Sequence, residues 1–468
     1  MTTPTEEAAA PDAAAARPRP RPARRALDEL SLRVERADVG EVQLSGDWPD
    51  WLAVDRQAAF DAFEALPGEA NRLYTPYIDL RPAQLENAGL TPSPSSDHVP
   101  GLLPDGADGL LEFEDGNVIV SALSDAARDA GVEFTTIREL VERRPDRARE
   151  LLADGTTLPA DDKFAQLTRA LWTQGVVLDI PAGVRLALPI IIRWRVAAAD
   201  RALLSRTLVR LGDRASASLV EEFVPSTNAP STGGQSFLAG TLEVILGSAA
   251  ELAVASVQEL GPSTVVFQHR TATLAEAASL HWALAQLGGR LVRSRVDNTL
   301  EGDRSSVEQV EIVFGGAEQL FDLTSYTRHV GHDTTGNLLS KGALLDRSRS
   351  YMKGLITIEK SAIGTDSFLG EFGMNLSKAT RAVAIPSLEI DQPDCRRAAH
   401  SSSVGPIDET QLFYLESRGI PLDEARKFIV LGFLEPVVAR VPLEDAQERL
   451  RELLEAKWAA GTGHVAAA

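Results

Sequence analysis

GDRASASLVEEF (212–223), GSAAELAVASVQEL (247–260), AEAASLHWALAQL (275–287) and GDRSSVEQVEIVF (302–314) share one layout, a small-residue turn followed by an alternating strand. Their starts lie 35, 28 and 27 residues apart, a solenoid-like period. An antiparallel sandwich also gives short alternating strands. A β-helix accounts better for the turn-then-strand repeat, because each coil reproduces the same inward ladder and stacks on the last. Leu252, Trp282 and Val310 read as its core rungs.

Outward from this block the character changes on both sides. VVLDIPAGVRLALPIIIRWRV (176–196) has short strand-like runs punctuated by Pro181, Gly183 and Pro189. Before it, WLAVDRQAAFDAFEALPG (51–68) spaces Leu52, Ala59, Phe60, Phe63 and Leu66 as a helix stopped by Pro67-Gly68. A second helical stretch is expected over about 124–154, with Leu140, Val141 and Leu151 apolar. A third, FAQLTRALWTQG, is expected over 164–175, closing on glycine. After residue 400, DETQLFYLESRG is expected to bury Leu412, Phe413 and Leu415 on one helix face. PLDEARKFIVLGFLEP and PLEDAQERLRELLEAKW follow as further helices. The expected organisation is a disordered tail (1–25, ending RPRPRPARR), an α-rich N-terminal domain (26–175), a β-helix (176–400) and a C-terminal helical domain (401–468).

Composition narrows the function. The 468 residues are 44% apolar and 24% charged, ordinary for a globular protein. A net charge of −20 argues against a nucleic-acid partner, which asks for a basic face. The start of the chain carries Glu6, Glu7 and Asp12 and no apolar core stretch, so no signal peptide is read there. No apolar run approaches a membrane span, so no membrane partner is expected and a cytoplasmic location is. Cys395 is the single cysteine, which rules out an intramolecular disulfide. No GxxxxGK[ST] loop, GxSxG elbow or HExxH motif is present, and Gly233-Gly234 is no nucleotide fingerprint. His329 and His332 form an HxxH pair on a strand-and-turn segment, where they point apart, His329 structural and His332 exposed.

IPSLEI (385–390), His400, Val404-Gly405, QLFYLESRGI (411–420) and EARKFIVLGF (424–433) together resemble the SufB/SufD family of SUF iron–sulfur cluster assembly scaffolds. HVGHDTTGNLLSKGALLD (329–346) is similar to the family's segment of a histidine followed twelve positions later by Lys-Gly, here His329 and Lys341-Gly342. WLAVDRQAAFDAFEALP, NRLYTPY and FAQLTRALWTQGVVLDIPAGVRLALPI resemble the family's N-terminal part, so the likeness covers most of 50–440. Lacking a cysteine-bearing scaffold sequence, the chain resembles the SufD branch.

The resemblance implies a mainly β fold, a right-handed parallel β-helix flanked by helical domains. It implies a non-catalytic subunit that pairs with a SufB-like paralogue through the β-helix and with a SufC-like ATPase through the C-terminal helices. A cysteine desulfurase system is an indirect partner. One thiol cannot furnish the four of a conventional cluster. The lone chain is therefore expected to hold no stable cofactor, with a transient iron–sulfur cluster formed at the subunit interface.

By the resemblance, His400 lies at that interface and takes part in cluster assembly; an imidazole suits a mixed nitrogen and thiolate site. Relatives carry a cysteine two positions before this histidine, where this chain has Ala398. Cys395, five positions before it and flanked by Arg396 and Arg397, is the substitute candidate, against a bland half-buried thiol. Phe428, Ile429, Phe433 and Val437 are the candidate ATPase face, or else pack inside the small domain. The alternatives are a SufB-like scaffold forming a homodimer with the ATPase, and a β-helix carbohydrate-active enzyme.

Overall fold

The computed structural model describes residues 26–45, 48–69, 77–93, 99–154, 156–226 and 233–461. The expected tail, 1–25, and most of NRLYTPY lie outside the described residues.

The strands are β1 (Gly89–Leu90), β2 (Gly109–Glu114), β3 (Asn117–Leu123), β4 (Glu133–Thr136), β5 (Gln174–Ile180), β6 (Ile190–Val196), β7 (Arg201–Leu211), β8 (Ser216–Pro225), β9 (Ser236–Leu246) and β10 (Glu251–Gln258). There follow β11 (Thr264–Leu274), β12 (Ser279–Gln286), β13 (Leu291–Leu300), β14 (Ser306–Gly315), β15 (Leu320–His329), β16 (Thr335–Leu344), β17 (Arg349–Ile358), β18 (Asp366–Asn375), β19 (Arg381–Ile390) and β20 (Arg397–Pro406). From β5 onward odd strands stack in one sheet and even strands in the other, all in parallel. Each coil therefore gives one strand to each sheet, and the fold is mainly β, a parallel β-helix of about eight coils.

The turn repeat read in the sequence is a stacked column in space. Arg214, Ala249, Ala277, Arg304 and Asp333 all take the left-handed conformation, with φ between 54 and 60°. Each donates its N–H to a carbonyl of the next coil's turn, at Ser248, Glu276, Asp303, His332 and Ile363 respectively, all at 2.8 Å. Gly364 continues the column to the Asp394 carbonyl, also at 2.8 Å. Left-handed backbone costs a side-chain-bearing residue roughly 1–2 kcal/mol, and here the inter-coil hydrogen bonds offset it. Turns stacked this closely leave no room beside them: a Cβ on Gly302 would lie 2.0 Å from the Glu276 nitrogen.

Between the sheets, inward residues such as Leu252, Trp282 and Phe321 form one continuous core. Val310 departs from the sequence reading. It faces outward from β14 and is buried against the C-terminal helices.

In chain order the helices are α1 (Arg36–Ser45), α2 (Asp50–Ala65), α3 (Asp125–Asp129), α4 (Ile137–Arg143), α5 (Pro145–Arg149), α6 (Lys163–Leu171), α7 (Glu409–Ser417), α8 (Leu422–Val438) and α9 (Glu444–Gly461). Of these, α2, α6, α8 and α9 lie on the two outer faces. Phe60, Phe164 and Trp172 pack with Leu204, Phe237 and Phe267 on the odd sheet's outer face. Val430, Leu434, Val437, Leu450 and Trp458 cover Ala283, Val310, Ile312 and Ala343 on the even sheet's outer face.

Three boundaries differ from the sequence reading. The 124–154 stretch is α3, β4, α4, α5 and a π-turn, because Gly131 at φ 81° breaks it and β4 pairs with β5. The helix expected to close on Gly175 ends at Leu171, and Gly175 is already in β5, where a side chain would strike Ile137. The last strand runs on to Pro406, past the expected end of the β-helix at residue 400.

Candidate functional site

The first and last coils end differently. At the start, β2 pairs in parallel with β6, β3 turns back antiparallel on β2, and β4 turns back on β5. Phe113 from β2 stacks on Trp194 with ring centroids 4.1 Å apart, and Ala127, Val132 and Phe134 finish the plug. At the other end, β19 and β20 are the terminal members of their sheets among the described residues. Each is ten residues long, and a free edge of that length exposes a row of unpaired N–H and C=O groups.

Register shows which side chains line this open mouth. Ala384, Pro386 and Leu388 continue the inward rows of Met352, Gly354 and Ile356. Ala398, His400, Ser402 and Val404 continue those of Ser367, Leu369, Glu371 and Gly373. The corresponding β18 positions Ser367, Leu369 and Glu371 are buried; on β20 His400, Ser402 and Val404 are exposed. His400 is thus an inward-phase residue of a coil on which no further strand stacks among the described residues.

Beneath it lies a buried acidic row. Glu311, Ser340, Glu371 and Ser402 occupy one register line across β14, β16, β18 and β20. Glu311 accepts from Ser294 Oγ at 3.1 Å, and burial raises its carboxyl to about 7. Glu371 is 2% exposed, and burial, with a smaller push from Glu311, raises it to about 8. Its Oε2 accepts from the Ile385 N–H at 2.9 Å. Oε1 lies 2.9 Å from where a Cβ on Gly354 would sit, so that glycine makes room for the carboxyl. Glu371 belongs to no motif; the legible signal is a Glu in the inward phase of FLGEFGMN (368–375).

Cys395 and His400 are not brought together. Cys395 is half-buried in the β19–β20 turn, against the cluster of Leu338, Ile356, Ile358, Ala362 and Leu369. Arg397 to His400 alone spans about 10 Å of strand. The flanking guanidiniums are turned away to other carboxylates, Arg396 to Asp333 and Arg397 to Asp366 at 2.7 Å. His329 is fully buried between Thr334 Oγ1 (2.8 Å) and Ser367 Oγ (3.0 Å), and burial holds it down to about 4. His332 is exposed. No group of three or more His, Cys, Asp or Glu among the described residues is arranged to hold a metal ion.

The C-terminal candidates divide. Val437 is 1% exposed in the seam against the even sheet. Phe433 is half-buried and held by Lys341, whose Nζ donates to the Phe433 carbonyl at 2.7 Å and sits 4.6 Å from its ring. Ile429 is half-buried and Phe428 is 72% exposed. The helix expected to bury Leu412, Phe413 and Leu415 does so only in part: no α7 residue is fully buried, Leu412 and Leu415 are half-buried, and Phe413 is 72% exposed. The physical reason is that α8 and α9 already fill the groove over the even sheet. Phe413, Tyr414, Leu422 and Phe428 form an exposed apolar set across α7 and α8. Among the described residues, no helix is long and apolar enough to cross a membrane.

Comparison with known proteins places this architecture. Residues 194–433 match the family model for the SUF system FeS cluster assembly SufBD core domain. The chain is 29% identical over 338 residues to the iron-sulfur cluster assembly protein SufD of Bacillus subtilis, covering 72% of this chain and 76% of that protein. SufBD family proteins of Staphylococcus saprophyticus and Staphylococcus aureus are 25% and 24% identical over the same length, covering 72% of this chain and 71% of each relative.

Proposed function

The chain belongs to the SufB/SufD family of iron–sulfur cluster assembly proteins and is SufD-like, and from that premise we propose that it is a non-catalytic scaffold subunit working inside a SufB–SufC–SufD type complex. The observation that carries the reading is the unplugged last coil. A protein that closes one end of its solenoid and leaves two ten-residue edges free at the other has a surface suited to continuing its sheets into a second β-helix. A SufB-like paralogue is the partner of matching geometry.

His400 then stands at the seam between two solenoids, with an imidazole available to iron beside thiolates contributed by the paralogue. The nascent cluster is cargo, built and passed on. Cys395 is left out of the ligand set, since the turn carries it to one side of the mouth. The exposed aromatic set on α7 and α8, led by Phe413 and Phe428, suits a SufC-like ATPase, while Val437 and Phe433 hold these helices to the body. Nucleotide-driven movement of two such ATPases would act on the seam through α8, because Lys341 couples α8 to β16.

The test is co-purification of the tagged full chain with its SufB-like paralogue and ATPase, followed by anaerobic reconstitution with iron and sulfide. A ternary complex is expected, with visible cluster absorbance that drops in His400→Ala. Failure to form any complex sinks the scaffold reading. An intact complex with unchanged absorbance removes His400 from the site and keeps the scaffold role.

A further inference from the structure

Glu371 presents a physical problem. It is a carboxyl buried to 2% exposure, in a strand interior where its neighbours along β18 and β17 are Leu369, Gly373, Met352 and Ile356. A buried acid is ordinarily matched by a cation or a full set of donors. Two acids deeper in the solenoid follow it: Glu221 meets Arg270 at 3.0 Å, and Glu243 meets Arg206 at 2.7 Å, while Glu311 is met by the Ser294 hydroxyl. Among the described residues Glu371 has one backbone N–H, from Ile385, and no cation in ion-pair distance. A leucine or methionine would fill the same space at lower cost.

Its place in the fold supplies a reason. Glu371 is the last carboxyl of the inner row before the mouth, in register with Ser402 and two residues along from the partner of His400. With strands about 4.8 Å apart and a rise of about 3.3 Å per residue, the Glu371 and His400 Cα atoms are about 8 Å apart on the same inward face. A glutamate and a histidine reaching toward each other close that gap around one ion. The absence of a side chain at Gly354 leaves the space that Glu371 Oε1 and Leu369 Cδ2 occupy, 2.9 and 2.5 Å from where a Cβ would sit.

We infer that Glu371 and His400 form this chain's half of a ferrous-iron site, the carboxylate rising from the floor of the mouth and the imidazole from its rim. The inference rests on the interface reading above and adds an oxygen ligand to it. On binding, the carboxyl O–H bond breaks as the oxygen–metal bond forms, and the proton leaves to solvent through the open coil. No electron changes hands. Two ligands make an incomplete site, and the remaining positions fall to the paralogue's side of the seam or to water.

Cobalt(II) is a suitable probe because its visible d–d bands report the ligand set without sulfide. Titrations of the full chain and of its co-purified complex are compared for wild type, Glu371→Gln, Glu371→Asp, His400→Ala and Glu311→Gln. Glu371→Gln is expected to weaken cobalt binding about 10–100-fold with thermal unfolding unchanged or raised. Glu371→Asp, which keeps the charge but retracts it, is expected to fall between and to shift the bands, and it carries the test should the glutamine variant misfold. Glu311→Gln, the equally buried acid two coils deeper on the even sheet, is expected to bind as wild type. Wild-type affinity and spectrum in both Glu371 variants would overturn the inference while leaving the scaffold reading intact. The absence of any complex with the paralogue would strike the scaffold reading instead, whatever the cobalt titration gave.

Discussion

The two ends of the β-helix are built from the same repeat and finished in opposite ways. At the N-terminal end β2, β3 and β4 turn back on the first strands, and Phe113 on Trp194 closes the interior. At the C-terminal end the chain leaves β20 and lays α8 and α9 along the outer face of the even sheet, so among the described residues the last coil has no lid. The same inward phase that is core on β18 is surface on β20. One end is closed for stability and the other is the end proposed for association, and substitutions of one chemical kind should separate them.

The largest contrast is expected from truncating one inward side chain at each end. Phe113→Ala should cost about 3–5 kcal/mol, as a fully buried aromatic in the plug. Leu388→Ala, on the half-buried last coil, should cost about 1 kcal/mol in the lone chain but weaken pairing with the paralogue. Denaturant unfolding and analytical ultracentrifugation check both. Equal losses of stability would mean the last coil is closed in solution.

The pH response should sharpen the same contrast. Glu311 and Glu371 have folded values of about 7 and 8, above their ordinary 4.5. The fold therefore binds more protons than the unfolded chain between these limits. Their contribution is complete below about pH 4.5 and is lost as pH rises through 7 to 8. His329 acts in reverse: its folded value of about 4 lies below 6.5, so its contribution holds above 6.5 and is lost as pH falls through about 4. Melting temperature is thus expected to fall between pH 6 and 8.5, each acid adding a slope of at most about 1.4 kcal/mol per pH unit. Glu371→Gln should flatten that limb, and a slope identical to wild type would mean the acid is solvated.

The smallest effect is expected mid-solenoid, far from either end. Ala277→Gly relieves a left-handed alanine at φ 56° but loosens the unfolded chain, so stability should change by only about 0.5 kcal/mol. A loss above about 2 kcal/mol would show that the turn column tolerates no change at all.

The β-helix was legible because its turns repeat in sequence as they stack in space. GDRA, GSAA, AEAA and GDRS each put a left-handed residue at the same offset, and the following strand keeps one inward phase. The helical domains were legible in outline. What failed was phase without context: Val310 and Val437 are apolar in any reading, and only the packing of α8 on the even sheet tells a core rung or partner face from an internal seam. The reverse error befell Phe413, whose helical spacing promised burial that α7 does not provide. His400 became a candidate through its motif alone, and register adds only that it is in the inward phase of the last coil. Glu371 was invisible, because one glutamate in a strand carries no signal until register places it beneath the mouth.

The turn column also orders events in time. Each left-handed turn residue donates to the coil that follows it, so every coil is a template for the next. A ribosome delivers the plugged end first, and later coils can dock one by one onto finished structure. The strand bearing His400 is the last of the solenoid to emerge. A stalled or clipped product ending before Arg397 would lack both the His400 strand and the helices that cover Ala283, Val310, Ile312 and Ala343, so an incomplete chain would be marked by a bare apolar face on its even sheet.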